Sequence, residues 1–136
     1  MKKFAKVLLI LLVMVSLVAC TKNKLSDKFD EEALLTQAKK TVAIINTRDY
    51  ASVINLLEES IRSQITAEQL EQAWDEQLYA AGNFVSFQNT ALTSQVDPKT
   101  QAEYATVVIQ VKYEKSVLIF TLSYDEQLAL VGLYMK

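Results

Sequence analysis

The chain of 136 residues carries 14 Lys and Arg against 16 Asp and Glu, no histidine and a single cysteine. The missing histidine excludes Ser-His-Asp and Cys-His catalytic arrangements and histidine zinc sites, and the lone cysteine excludes an intramolecular disulfide. A mildly acidic balance, with no basic stripe interleaved with aromatics, leaves nucleic acid nothing to hold.

Lys2, Lys3 and Lys6 precede an apolar run from Val7 to Ala19. A spanning helix needs about 20 apolar residues. This run is shorter, so residues 1–19 read as an export signal. It ends Leu17-Val18-Ala19-Cys20, which resembles the bacterial lipobox. That resemblance implies cleavage before Cys20 and a diacylglyceryl group on its thiol, the only attached group expected. Two acyl chains hold a protein stably, where one holds it marginally. The expected location is the cell membrane, lipid-anchored on the extracytoplasmic side. Removal of three lysines with the signal leaves 11 basic against 16 acidic residues, a net charge of −5. Such a domain is not expected to lie flat on an anionic bilayer. Residues 20–28 read as a lipidated tether, extending less than about 30 Å at full stretch, and residues 29–136 as one domain.

Three helices are predicted first. Phe29 to Asn46 repeats Leu35, Ala38, Val42 and Ile45 on one stripe, with Asp30, Glu31 and Glu32 in the first turn. Asp49 is placed to cap a second helix, Tyr50 to about Ser63, with the stripe Val53, Leu57 and Ile61. Thr66 and Gln69 spell a capping box for the third, flanked by Ile65 and Leu70 as a hydrophobic staple. Its buried face reads Leu70, Trp74, Leu78 and Ala81, and Gly82 is the stop.

The period then changes to two. Phe84 to Val96 is a strand whose alternation slips phase near Asn89, the mark of a bulge or bend. Asp97 to Thr100 turns into Tyr104–Glu114. Short turns at Glu114–Ser116 and Asp125–Gln127 lead to Val117–Tyr124 and Leu128–Met135. Helices first and hairpin-linked strands after predict an α+β domain, three helices packed on a bent four-stranded antiparallel sheet.

Arg48-Asp49-Tyr50, the TAEQLEQAW stretch from Thr66, Gly82-Asn83-Phe84 and the run from Phe120 to Lys136 resemble small bacterial lipoproteins with domain of unknown function 3887. The element order resembles the nuclear transport factor 2-like (cystatin-type) superfold. The family implies a membrane-tethered domain without an assigned activity. Enzymes of the wider superfold usually set an acid–base pair, often with histidine, between helices and sheet, and this chain has no histidine.

Carboxylates occur as the adjacent pairs Glu58-Glu59, Asp75-Glu76 and Asp125-Glu126. Helical neighbours point about 100° apart, so these read as solvated charge, and no metal site is expected. A bent sheet would open a concavity against straight helices. Side chains with apolar bulk and a polar tip suit its lining, and Tyr50, Trp74, Tyr104 and Tyr124 are the candidate ligand-binding residues. No catalytic residue is assigned. The expected function is a non-enzymatic binding or structural module for a small ligand, peptide or envelope partner. The alternatives are a pocket enzyme using Tyr and Asp or Glu, or an accessory domain to a hydrolase.

Overall fold

The computed structural model describes residues 24–136, so the expected signal peptide and Cys20 lie outside the described residues. Asp30 accepts the Ala33 N–H and starts α1 (Glu31–Asn46). Asp49 does the same for Ser52 at the head of α2 (Tyr50–Leu56). The single second helix expected from Tyr50 to Ser63 is broken in two. Leu57 is extended and pairs with Leu130 in a parallel bridge, and the Glu58 N–H donates to Leu130 O at 2.9 Å. Glu58 then caps a one-turn α3 (Glu59–Arg62). α4 (Ala67–Ala81) begins with both halves of the Thr66–Gln69 capping box and ends at Gly82. There are therefore four helices among the described residues, not three.

The sheet is an antiparallel meander in the order β1 (Phe84–Val96), β2 (Glu103–Tyr113), β3 (Val117–Tyr124), β4 (Leu130–Met135). β1 pairs Phe87 with Val111 and Thr90 with Ile109, so two residues on β1 oppose one on β2 and the register shifts at Gln88-Asn89. That is where the sequence alternation slips. β4 starts at Leu130 rather than Leu128, because Asp125 Oδ1 accepts the N–H groups of Gln127 and Ala129 and extends the turn.

α1 lies across β1, β2 and β3. Its buried stripe is Leu34, Ala38, Thr41, Val42 and Ile45. Leu34, and not Leu35, leads it. Against it stand Val107, Ile109 and Val111 of β2 and Phe120, Leu122 and Tyr124 of β3, all inaccessible to solvent. Burial of a large apolar side chain contributes about 1.5–3 kcal/mol, so this layer is a large contributor to the fold's stability. Its buried hydroxyl is matched: Thr41 Oγ1 donates to Gln37 O at 2.9 Å and lies 3.0 Å from Tyr124 Oη.

The stretch expected as a tether through Lys28 is docked from Lys24 onward. The Ser26 N–H donates to Ser94 Oγ, and Ser94 Oγ donates to Lys24 O. Phe29 is buried in the core. Lys28 Nζ bridges Glu103 of β2 and Glu126 of the β3–β4 turn at 3.2 and 3.1 Å. No described helix is long and apolar enough to cross a membrane.

Candidate functional site

Two features stand out on the helical side of the molecule. The first is polar and joins α2 to α4. Arg48, at the α1–α2 junction, adopts φ 63°, a left-handed conformation uncommon outside glycine. This turn brings Tyr50 against α4, where Tyr50 Oη donates to Asp75 Oδ1 at 2.6 Å. Arg48 Nε lies 3.4 Å from the same oxygen, an ionic contact without hydrogen-bond geometry. The Arg48 guanidinium also stacks over the Tyr79 ring at 4.8 Å, and its Nη1 donates to Asn46 O. Asn46 in turn accepts from Tyr113 Oη at 2.6 Å.

Burial and the Asp75 carboxylate push the Tyr50 phenol well above its ordinary range. Burial alone pushes Tyr113 up to about 12. Both phenols are thus fixed donors at neutral pH, not bases poised for proton transfer. Asp75 belongs to a pair expected as solvated charge, and that expectation needs correction. It is half-buried and holds two partners that lie far away in the sequence.

The second feature is apolar. A groove of about 310 Å³ opens between the α2–α3 break, α4 and the edge strand β4. Val53 and Leu57 form its floor, Ile61 and Ile65 one rim, Leu70 and Trp74 the α4 wall. Val131, Gly132 and Leu133 supply the strand wall, and Gln69 is its polar contribution from α4. The break at Leu57 creates this space, because it turns α3 away from a continuous helix and towards Val131. The sequence pattern marks Ile61 and Ile65 only as helix-packing residues. Their meeting with β4 is tertiary and leaves no local signal.

The four aromatics nominated from sequence do not share one cavity. Tyr50 and Trp74 are neighbours, with ring centroids 6.3 Å apart, and Trp74 alone of the four lines the groove. Tyr124 is wholly enclosed beneath α1, where its hydroxyl meets Thr41. Tyr104 points to the opposite sheet face, since its β2 neighbour Ala105 fills the core. There it borders a wide open cleft of about 770 Å³ with Glu58, Glu103, Asp125 and Glu126. Each of those carboxylates is already engaged in holding the fold. Glu58 caps α3, Asp125 fixes a turn, and Glu103 and Glu126 bind Lys28. Among the described residues no three His, Cys, Asp or Glu side chains are placed to hold a metal.

Helices on one face of an antiparallel meander, with an apolar groove at the far sheet edge, define a small α+β domain. The chain belongs to the family described as "Protein of unknown function (DUF3887)", whose model matches residues 38–133. That span contains both the Arg48–Tyr50–Asp75 cluster and the groove. The chain is similar to a protein from Ruminococcus gnavus ATCC 29149 solved by NMR. The two share 28% identity over 83% of this chain and 96% of that one, with a TM-score of 0.75. No curated protein matches the chain.

Proposed function

We propose that the chain is an exported lipoprotein, anchored through a diacylglyceryl group on Cys20, whose nuclear transport factor 2-like domain is a non-enzymatic binding module. Its site is the β4 groove, and its ligand is an extended peptide segment of an envelope protein that carries a bulky apolar side chain. The observation that carries this reading is the combination of a hydrocarbon-walled groove with an open strand edge. β4 is the last strand of the sheet, and on its outer edge Glu58 already donates to Leu130 O. A peptide laid beside Val131–Leu133 would continue that pattern, with backbone bonds giving affinity and the groove selecting the side chain.

Trp74 is the only tryptophan in the chain, so its emission reports on the groove directly. Heptapeptides selected from a random displayed library should shift Trp74 emission, and Ile61→Glu should abolish the shift. Failure to select any peptide, or selection of peptides indifferent to Ile61→Glu, would overturn the groove as the site.

A second reading, an enzyme, draws on the short Tyr50–Asp75 pair. It is the weaker of the two, because the Tyr50 proton is committed to Asp75 and neither residue lines the groove.

A further inference from the structure

The docked N-terminal segment fixes where the chain leaves the domain, and so constrains how the domain sits on a membrane. Ser26 and the Lys24 carbonyl are both hydrogen-bonded to Ser94, on β1. Leu25 packs on the core and Phe29 is buried in it. Lys28 is gripped from two sides by Glu103 and Glu126. The path from Cys20 to Lys24 spans at most about 14 Å when fully extended. β1 is one edge of the sheet and β4 the other. Three strand spacings, again about 14 Å, separate them.

From this geometry we propose that the β1 edge is the membrane-facing surface, seated against phospholipid headgroups, and that the β4 groove is held on the side away from the bilayer. The proposal rests on lipidation of Cys20. Two further observations favour an edge-on seat over a flat one. The exposed residues of β1 beyond the bulge are Thr90, Ala91, Thr93 and Gln95, short or polar and suited to a headgroup layer, with Val96 at the strand end as the one large apolar side chain. The chain from Cys20 onward carries a net charge of −5, which penalises broad contact with anionic lipid. The β4 edge, by contrast, exposes Tyr134 and the groove, where a partner approaching from the aqueous side can reach them.

The test uses the full lipidated protein, extracted from membranes and reconstituted into phosphatidylcholine vesicles that contain a nickel-chelating lipid. With Cys20 acylated, an introduced cysteine is the only free thiol and takes a nitroxide label. Thr93→Cys and Ala91→Cys report on the β1 edge, and Tyr134→Cys on β4. The expected result is relaxation by the nickel lipid several-fold stronger at both β1 positions than at position 134. A Gly-Ser linker inserted between Asn23 and Lys24 should erase that difference while the lipid remains. Equal relaxation at the two edges, or stronger relaxation at Tyr134→Cys, with acylated Cys20 confirmed by mass, would overturn the orientation alone. Absence of lipid on Cys20 by mass would overturn the anchor reading and the orientation with it. A difference that survives the linker would overturn the short tether as its cause.

Discussion

Tyr50 Oη donates to Asp75 Oδ1 at 2.6 Å across the contact between α2 and α4, two helices joined by nothing else as short. A bond to a charged acceptor contributes about 1.5–3 kcal/mol. Tyr50→Phe removes the donor and leaves Asp75 with Arg48, so a loss near the lower end, about 1.5 kcal/mol, is expected. Asp75→Ala strands both the Tyr50 hydroxyl and the buried Arg48 Nε, and should cost about 3 kcal/mol. Urea denaturation of the two single variants and the double variant should give a coupling of at least about 1 kcal/mol. Strict additivity would show that the pair does not hold α2 to α4.

Gly82 ends α4 at φ 83° and ψ −158°, a region that only glycine enters readily. A Cβ there would lie 2.9 Å from Glu114 Oε2 and 3.2 Å from Glu114 Cβ. Glu114 is not free to leave, because its carboxylate accepts the Asn83 N–H at 3.0 Å. Gly82→Ala should destabilise by at least about 1 kcal/mol. Gly82→Asn should be no better, since asparagine tolerates the ordinary left-handed well and not this one. A Gly82→Asn variant as stable as wild type in thermal melts would refute the backbone account.

Those two sites also show which features were legible in the sequence. Gly82 after an apolar stripe, the Thr66–Gln69 box and the phase slip at Asn89 are local patterns, and the fold keeps all three. The break at Leu57 is invisible locally, because Leu57 continues the Val53–Ile61 stripe. Its cause is Leu130, which lies at the other end of the domain and captures Leu57 and Glu58 in strand geometry. Since the groove exists only because of that break, the groove could not be read either. Asp75 was hidden for the same reason: nothing near it in sequence announces Arg48 or Tyr50. The Leu34-for-Leu35 exchange on α1 has a simpler origin, since two adjacent leucines fit one stripe almost equally well and packing chooses.

Thr66→Ala removes the hydroxyl that accepts the Gln69 N–H and leaves the first turn of α4 with an unpaired donor. A loss of about 1 kcal/mol is expected. Gln69→Ala should cost less, because the Thr66 N–H it releases is exposed and finds water. Chemical denaturation that ranks Gln69→Ala above Thr66→Ala would contradict this division of the capping box.

Alkaline pH should unfold the domain through its buried phenols. Burial pushes Tyr124 up to about 12 and Tyr113 to about the same value, against 10 for a free tyrosine. Between those limits the unfolded chain releases protons that the folded chain keeps, so stability is complete below pH 10 and falls as pH rises towards 12. Absorbance at the tyrosinate band should therefore rise cooperatively with loss of circular dichroism. Tyr124→Phe should soften that pH dependence, although it loses the contact with Thr41. An unchanged alkaline profile for both Tyr124→Phe and Tyr113→Phe would rule these phenols out as its source.

The clasp on the N-terminal segment should respond to acid. A hydrogen bond from Ser26 and the Lys28 ammonium hold Glu103 below the ordinary carboxylate value of 4.5, and Glu126 and Glu103 raise Lys28 above 10.5. The Glu103 contribution is present above its unfolded value and is lost as pH falls through its lowered folded value. The Lys28 contribution is complete below 10.5 and fades only above it, so the acid arm belongs to the carboxylate. Glu103 is largely covered, but Lys28 and Glu126 are exposed and screened by solvent, so the effect on global stability should be small. The local effect should be clear, because few other polar contacts hold residues 24–28. Hydrogen exchange at Lys28 and Phe29 should accelerate on acidification beyond the intrinsic rate change, while exchange in β2 and β3 should not. Lys28→Ala should reproduce part of that acceleration at neutral pH and weaken its pH dependence, leaving the share that the Ser26 hydrogen bond to Glu103 carries. If Lys28→Ala leaves exchange at Phe29 unchanged, the buried Phe29 ring and the hydrogen bonds to Ser94 hold the segment, and the ion pairs add nothing to it.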